Sequence, residues 1–389
     1  MSFIPSRPIP RLPVFGWDTF SGNNASSIPC LLDAPRLAFT TSGRASIYQA
    51  LKILGITAGK SVLVPTYHCP TMVAPIVALG GDPIFCPIDA TGRIELESTS
   101  ALARPDTRAI IAPHYFGLPQ PMEQLRAWCD ERDIALIEDC AHALFGIAGN
   151  RNIGQWGDLA IASLTKFLPV PEGGCLICNR EQPEYVALQR HGVIKQVRAA
   201  LDILEEGVRH RALPGLNGIL QGLFTLKQRL RNSSPEPQAP PAGTDSDDVN
   251  PTETIEPQLA GTRMAHVCRW VARHATLERI VANRRRNYAY LAQTLSGSIH
   301  FHPLRPELPA DCAPYVFPLW VNRPDPAYHA LRTRRVPLFR WDHLWPTTPT
   351  IPGDSGKEWS HHVYQLVCHQ DLRQEELDHI VANLRELCV

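Results

Sequence analysis

The chain has no surplus of charge of either sign: 38 Lys and Arg stand against 38 Asp and Glu in 389 residues. It has no basic block either, so nucleic acid is not expected as a partner. No apolar run reaches the length of a membrane span. The opening MSFIPSRPIPRLPVFGW is broken by Pro, so neither a signal peptide nor an integral membrane segment is expected there. No internal repeat is visible. Apart from Cys175-x-x-Cys178, no close cysteine pair occurs. On a strand, residues i and i+3 face opposite sides, so that pair reads as core and not as a zinc site. The eleven Cys are odd in number and follow no pattern, which suggests reduced thiols and a cytoplasmic protein. His361-His362 and His300-x-His302 have no acid or thiol at a helpful spacing, so no metal is expected.

What the chain does have is 36 Pro, ordinary apolar content and length enough for two cores. Residues 1–36 read as an irregular N-terminal arm. Thr41-Ser42-Gly43-Arg44 then opens an apolar-periodic helix with Ser42 as N-cap. Free N–H groups at such a start form an anion site, and Arg44 adds a charge that can pair with phosphate. Ser-Gly before a helix is also ordinary capping chemistry. Beyond it, apolar strands alternate with helices. Strands are expected over 61–65, 83–88, 109–113 and 134–137, with His114 and Asp139 at strand ends. This alternation predicts a mainly parallel sheet with ligands at the C-terminal ends of its strands.

The stretch Asp158–Gly174, DLAIASLTKFLPVPEGG, reads as strand, loop and the start of a second strand, with Lys166 at the end of the first. An ammonium among Leu, Phe and Pro loses hydration and its pKa falls. Such a lysine can form Schiff bases with carbonyls, pyridoxal 5′-phosphate (PLP) included. Taken alone, Lys166 reads more readily as a solvated loop lysine, since most lysines are surface residues; its company with His114 and Asp139 at strand ends weighs against that.

Residues 185–231 read as helical and amphipathic, packed on the protein itself. Residues 232–258 are rich in Pro, Ser and acid, with almost no large apolar side chain, and are expected to be disordered. A long helix is expected from Arg263 to Leu291. Strands over 315–321, 336–339 and 364–367 and helices over 325–334 and 373–387 complete a smaller α/β domain. The expected division is an arm (1–36), a large domain (37–275, with the insertion 185–258) and a small C-terminal domain (276–389).

These residues resemble the PLP-dependent nucleotide-sugar aminotransferases of the DegT type, within the fold type I aspartate aminotransferase superfamily. TTSGRASIYQAL resembles the family's phosphate turn and its helix. VLVPTYHCPTMVAPIVALGGDPIFCPID resembles the next strand, cofactor-facing loop, helix and strand. HYFGLP and IEDCAHALFG resemble the strand ends beneath the ring. GDLAIASLTKFLPVPEGG resembles the Schiff-base segment, and LAGTRMAHVCRWVARHATLERIVANRRRNY the helix that opens the last part of the fold.

The resemblance implies PLP as cofactor, attached to Lys166, which later moves the proton in catalysis. Asp139 would keep the pyridine nitrogen protonated. His142 stands where the family usually has Gln beside the ring hydroxyl. Ser163 would hold the phosphate, with Ser42, Gly43 and Arg44. The residue that stacks on the ring is usually aromatic; Cys69 stands there, beside Tyr67 and His68. Arg263 matches the Arg that follows an Asn supplied by the partner subunit, but Gly261 and Thr262 replace that Asn. The segment from Asp158 to Lys166 is two residues shorter than usual. The implied activity moves an amino group from an amino acid, glutamate first, to a keto group of a nucleotide-linked sugar, in a homodimer. Other PLP chemistry, as in a dehydratase or with a non-sugar acceptor, and a non-catalytic regulator or scaffold on the same fold stay open. Relatives that dehydrate tend to lose the lysine, which this chain keeps.

Overall fold

A computed structural model describes residues 7–22, 26–180, 187–220, 222, 224, 255 and 257–388. Its centre is a seven-stranded sheet in the order β1-β9-β8-β5-β4-β2-β3. The strands are β1 (Leu37–Thr40), β2 (Ser61–Pro65), β3 (Asp82–Cys86), β4 (Thr107–Pro113), β5 (Ala135–Asp139), β8 (Leu159–Ser163) and β9 (Gly174–Cys178). A two-residue hairpin, β6 (Ile147–Ala148) with β7 (Arg151–Asn152), lies outside this sheet. Strands β3, β2, β4, β5 and β8 run parallel; β9 pairs antiparallel with both β8 and β1. The sheet is therefore mainly parallel, and its strands are apolar almost throughout because helices cover both faces.

A second sheet, β10-β11-β13-β12, is antiparallel: β10 (Phe301–Pro303), β11 (Val316–Val321), β12 (Leu338–Phe339) and β13 (Val363–Val367). Helices Leu277–Thr294, Pro324–Thr333 and Gln374–Leu387 accompany it. Buried side chains of the two regions join in one core that includes Leu63, Phe116, Phe167, Phe317 and Leu366. The described part of the arm is irregular apart from two 3₁₀ turns, and it is stapled to the last part of the chain. Arg7 forms a buried ion pair with Glu376 at 2.6 Å, and the Val14 N–H donates to Asp371 Oδ2 at 3.0 Å.

Three expectations change. The single helix expected from Arg263 to Leu291 is two, His266–His274 and Leu277–Thr294. Ala275 between them is extended, with its N–H donating to Val271 O, and the Thr276 N–H leaves helical pairing to donate to Thr19 of the arm. In the insertion one helix runs Val193–Arg209 and helical residues recur at 217–220, 222 and 224, while the start, where Gln189 pairs with Thr262, is not helical; residues 185–186, 221, 223 and 225–231 lie outside the described residues. Of the stretch 232–258, Ile255 is buried and Pro257 and Gln258 begin a short helix, Pro257–Ala260, that packs on the helix following Ser42. The rest of that stretch lies outside the described residues. Cys175 and Cys178 lie buried on β9 as free thiols. Among the described residues no helix is long and apolar enough to cross a membrane.

Candidate active site

The parallel strands bring their C-terminal ends to one edge. Pro113 of β4 lies beside Asp139 of β5, and Asp139 beside Ile161 of β8. Lys166 follows β8 in a single 3₁₀ turn, Leu164–Lys166. At this edge is a cavity of about 260 Å³. Eight of the ten residues singled out from the sequence line it: Ser42, Gly43, Arg44, Cys69, Asp139, His142, Ser163 and Lys166.

One end of the cavity suits an anion. Ser42 caps the helix Gly43–Ile53 by accepting from the Ala45 N–H at 3.1 Å. The Gly43 and Arg44 N–H groups precede the first intrahelical bond and carry the positive end of the helix dipole. The hydroxyls of Ser163 and Thr165, 3.3 Å apart, close this end. The turn must pass close to β9: a Cβ on Gly174 would lie 2.3 Å from the Ser42 carbonyl oxygen. Only glycine fits there.

The floor is a buried carboxylate. Asp139 Oδ1 accepts from the Ala141 N–H at 2.8 Å. Burial pushes its pKa up, against the pull of that bond and of the Lys166 charge. Removing the carboxylate from water disfavours its charged form until a cation lies against it. The neighbouring Glu138 is satisfied differently. Its oxygens accept from the Gly154, Trp156 and Gly157 N–H groups and from His114 Nε2, at 2.7–3.1 Å. His114 Nδ1 accepts from the Gln120 N–H. His114, Glu138 and Cys140 are close enough to hold a metal ion, but these bonds already occupy the imidazole and the carboxylate, which makes the group structural.

His142 lies between Tyr315 and Trp341, with ring centres 4.6 and 4.9 Å away. Its Nδ1 accepts from the Phe116 N–H at 3.3 Å, so in the neutral ring Nε2 carries the proton and can donate. Burial holds its pKa well below the ordinary histidine value, with the Lys166 charge adding to the effect.

Lys166 is held from the other side of the molecule. Its Nζ sits 5.1 Å from the centre of the Tyr315 ring. Its carbonyl accepts from Arg284 Nη2 at 2.7 Å. Arg284 is fully buried on the helix Leu277–Thr294, stacks on Phe167, and also donates to Gln370 Oε1 and to the carbonyls of Pro314 and Tyr315. Gln370 in turn donates to the Phe167 carbonyl at 2.9 Å. Burial brings the Arg284 pKa down to about 10.

Two singled-out residues do not line the cavity. His68 faces away. Its Nδ1 donates to the Pro65 carbonyl, its Nε2 accepts from the Trp345 N–H, and its ring stacks on Phe85. Burial lowers its pKa to about 4. Of the three residues considered for stacking on the ring, Tyr67 packs among Tyr115, Trp341 and Trp359, and only Cys69 lines the cavity. Arg263 pairs through its backbone with Thr40 on β1 and is likewise absent from the lining. The far wall was not legible in the sequence: Tyr315, Phe339, Trp341 and Gln365. Gln365 is buried, donates to the Tyr67 hydroxyl and leaves Oε1 without a partner. The aromatic character of Tyr315, Phe339 and Trp341 marks them only as core, and nothing in the local pattern of any of the four ties them to Lys166.

Residues 32–218 match the profile of the DegT/DnrJ/EryC1/StrS aminotransferase family. The chain is similar to GDP-perosamine synthase of Vibrio cholerae, at 29% identity over 46% of this chain and 51% of that protein. It is also similar to dTDP-4-dehydro-2,3,6-trideoxy-D-glucose 4-aminotransferase of Saccharopolyspora spinosa, at 29% identity over 37% of this chain and 38% of that one. The matched region thus spans about half, or less, of these relatives. Among solved structures, the aminotransferase from Psychrobacter cryohalolentis superposes with a TM-score of 0.62 at 18% identity, covering 91% of this chain and 87% of that one. NtdA from Bacillus subtilis with bound cofactor PMP gives 0.59 at 16% identity, covering 92% and 74%. At these identities the likeness establishes the fold, that of fold type I aminotransferases.

Proposed function

We propose that this chain, whose residues 32–218 match the profile of the DegT/DnrJ/EryC1/StrS aminotransferase family, is a PLP-dependent aminotransferase that moves an amino group from an amino acid to a keto sugar. The observation that carries this reading is one cavity lined by an anion-accepting helix start, a buried carboxylate and a lysine. These groups fit PLP. Gly43, Arg44, Ser163 and Thr165 would hold its phosphate, Asp139 its ring nitrogen and His142 its ring hydroxyl, with Lys166 as its covalent anchor. The unpartnered Gln365 Oε1 leaves an acceptor for a bound group on the opposite wall.

PLP, when bound, supplies an electron sink that stabilises negative charge on a substrate carbon. The chain supplies the rest. Lys166 Nζ takes and returns a proton at that carbon. Asp139, ionised once a cation lies against it, keeps a proton on the ring nitrogen. Arg284 and Gln370 fix the backbone of the lysine turn, so Nζ reaches a single position. The aromatic wall excludes water and strengthens each of these charge interactions.

Glutamate as donor, a nucleotide-linked keto sugar as acceptor, a homodimer and a cytoplasmic location belong to this proposal. They are supported by what the names of the relatives say of those proteins and by the reduced, buried cysteines. The test is to incubate the PLP-loaded protein with ¹⁵N-glutamate and a nucleoside-diphosphate 4-keto-6-deoxyhexose. The expected result is ¹⁵N in an amino sugar nucleotide by mass spectrometry. Release of 2-oxoglutarate with no labelled sugar would move the acceptor outside that class.

A further inference from the structure

Four arginines stand together beside the sheet edge, outside the cavity. The chain at Gln189 pairs in parallel with Thr262, and the Arg263 N–H donates to the Gln189 carbonyl at 2.8 Å. One residue further along, that register sets Arg190 beside Arg263, on the same face. Arg269 and Arg273 are four apart on the helix His266–His274 and share one helix face. That face is joined to the pair through β1. Arg273 lies over the Phe39 ring at 5.3 Å, the Met264 N–H donates to the Phe39 carbonyl, and Arg263 pairs with Thr40.

Among the described residues, none of the four has a carboxylate partner. Glu172, which lies against these segments, is already engaged: its oxygens accept from His191 Nε2 and the Ala265 N–H. Arg269 has a buried Nε with no partner, and its Nη2 meets only the His266 ring. Burial lowers the Arg269 pKa, and the charges of Arg263, Arg273 and Arg190 lower it further. Like charges at helix spacing destabilise a fold, so packing alone gives no reason for this group. Guanidinium forks match phosphate oxygens two at a time, and four of them exceed what a single monoanion needs.

We propose that Arg190, Arg263, Arg269 and Arg273 form a diphosphate-binding site that takes the diphosphate of the acceptor. It rests on the aminotransferase reading for its substrate, and on geometry alone for its chemistry. Arg263 is paired with Thr40, two residues before Ser42 of the cavity. This backbone link from Arg263 through Thr40 joins the arginine group to the turn that lines the cavity. None of the four arginines lines the cavity itself, so the site is separate from the one proposed for the cofactor phosphate.

The test uses PLP-loaded protein, so that the cofactor's phosphate site is filled. Inorganic pyrophosphate, GDP and dTDP are titrated by calorimetry into the natural protein and the double variant Arg269→Gln/Arg273→Gln. Thermal melts are run with and without pyrophosphate. Expected are at least tenfold weaker binding in the variant, a pyrophosphate-dependent rise in Tm confined to the natural protein, and a ligand-free Tm no lower in the variant. Tighter binding of the nucleotides than of pyrophosphate would point to a nucleotide source; equal binding would show that the diphosphate alone is read. No binding by the natural protein, equal binding by the variant, or a lower ligand-free Tm in the variant would overturn the proposal. The absorbance response to glutamate is read in parallel. If that response is absent while pyrophosphate binding still depends on the arginines, the aminotransferase reading fails and the anion site stands.

Discussion

The two sides of the cavity are built in opposite ways. The sheet side is polar and comes from short, nearly contiguous stretches: Ser42-Gly43-Arg44, Asp139 with His142, and Ser163 to Lys166. The opposite side is aromatic and arrives from more than 140 residues further along, as Tyr315, Phe339 and Trp341. In the proposed reaction the first side would supply charge and protons. The second supplies dryness, and through Arg284 and Gln370 it also fixes the lysine turn. Chemistry and positioning are thus divided between the two sheets.

The sharpest way to break this division is to alter the polar side alone. Asp139→Asn keeps the acceptor for the Ala141 N–H but loses the charge. Turnover is expected to fall about 10²–10³-fold, the range for losing one preorganised electrostatic partner. Without cofactor the sign reverses. The native carboxyl has a raised pKa, so its contribution to stability is present below the unfolded value, about 3.9, and is lost as pH rises through the folded value. Cofactor-free Asp139→Asn is therefore expected to be at least as stable as the natural protein at pH 7, by urea unfolding. A clear loss of stability there would make Asp139 structural.

Next comes the link between the two sides. Arg284→Met removes the fork and leaves Gln370 Oε1 and the Lys166, Pro314 and Tyr315 carbonyls short of a donor. A loss of at least about 3 kcal/mol in unfolding free energy is expected, since four acceptors lose a donor and stranded buried polar groups each cost about 1–3 kcal/mol. A neutral result would mean that the lysine turn holds its own shape.

His68 gives the smallest effect, and it too spans the division: it joins the Pro65 carbonyl at the end of β2 to the Trp345 N–H. Its folded pKa of about 4 lies below the ordinary 6.5. Its stabilising share is thus present above the unfolded value and lost as pH falls through 6.5 toward 4. At pH 5 the loss is about 2 kcal/mol relative to pH 7. His68→Gln is expected to flatten the stability curve over that range, and an unchanged slope would assign the acid sensitivity to other groups.

The same division explains how much was legible in the sequence. The parallel strands read clearly because both faces are buried and their apolar runs end at turn residues. The cluster at their ends read clearly because Lys166, Asp139 and Ser42 each follow a strand or open a helix. His68 misled because it directly precedes Cys69, and on extended backbone successive side chains point in opposite directions. The two helices read as one because Ala275 and Thr276 carry no breaker; contact with Thr19 of the arm separates them. Tyr315, Trp341 and Arg284 could not be read as site residues, because only the docking of the second sheet brings them to Lys166.

The most direct measurement is the visible spectrum of the purified protein with PLP, before and after glutamate, beside Lys166→Ala. Expected is an absorption band that requires Lys166 and is lost on adding glutamate, with 2-oxoglutarate released in equal amount. A spectrum identical in the natural protein and Lys166→Ala would contradict it, because no other described group of the cavity can anchor the cofactor covalently.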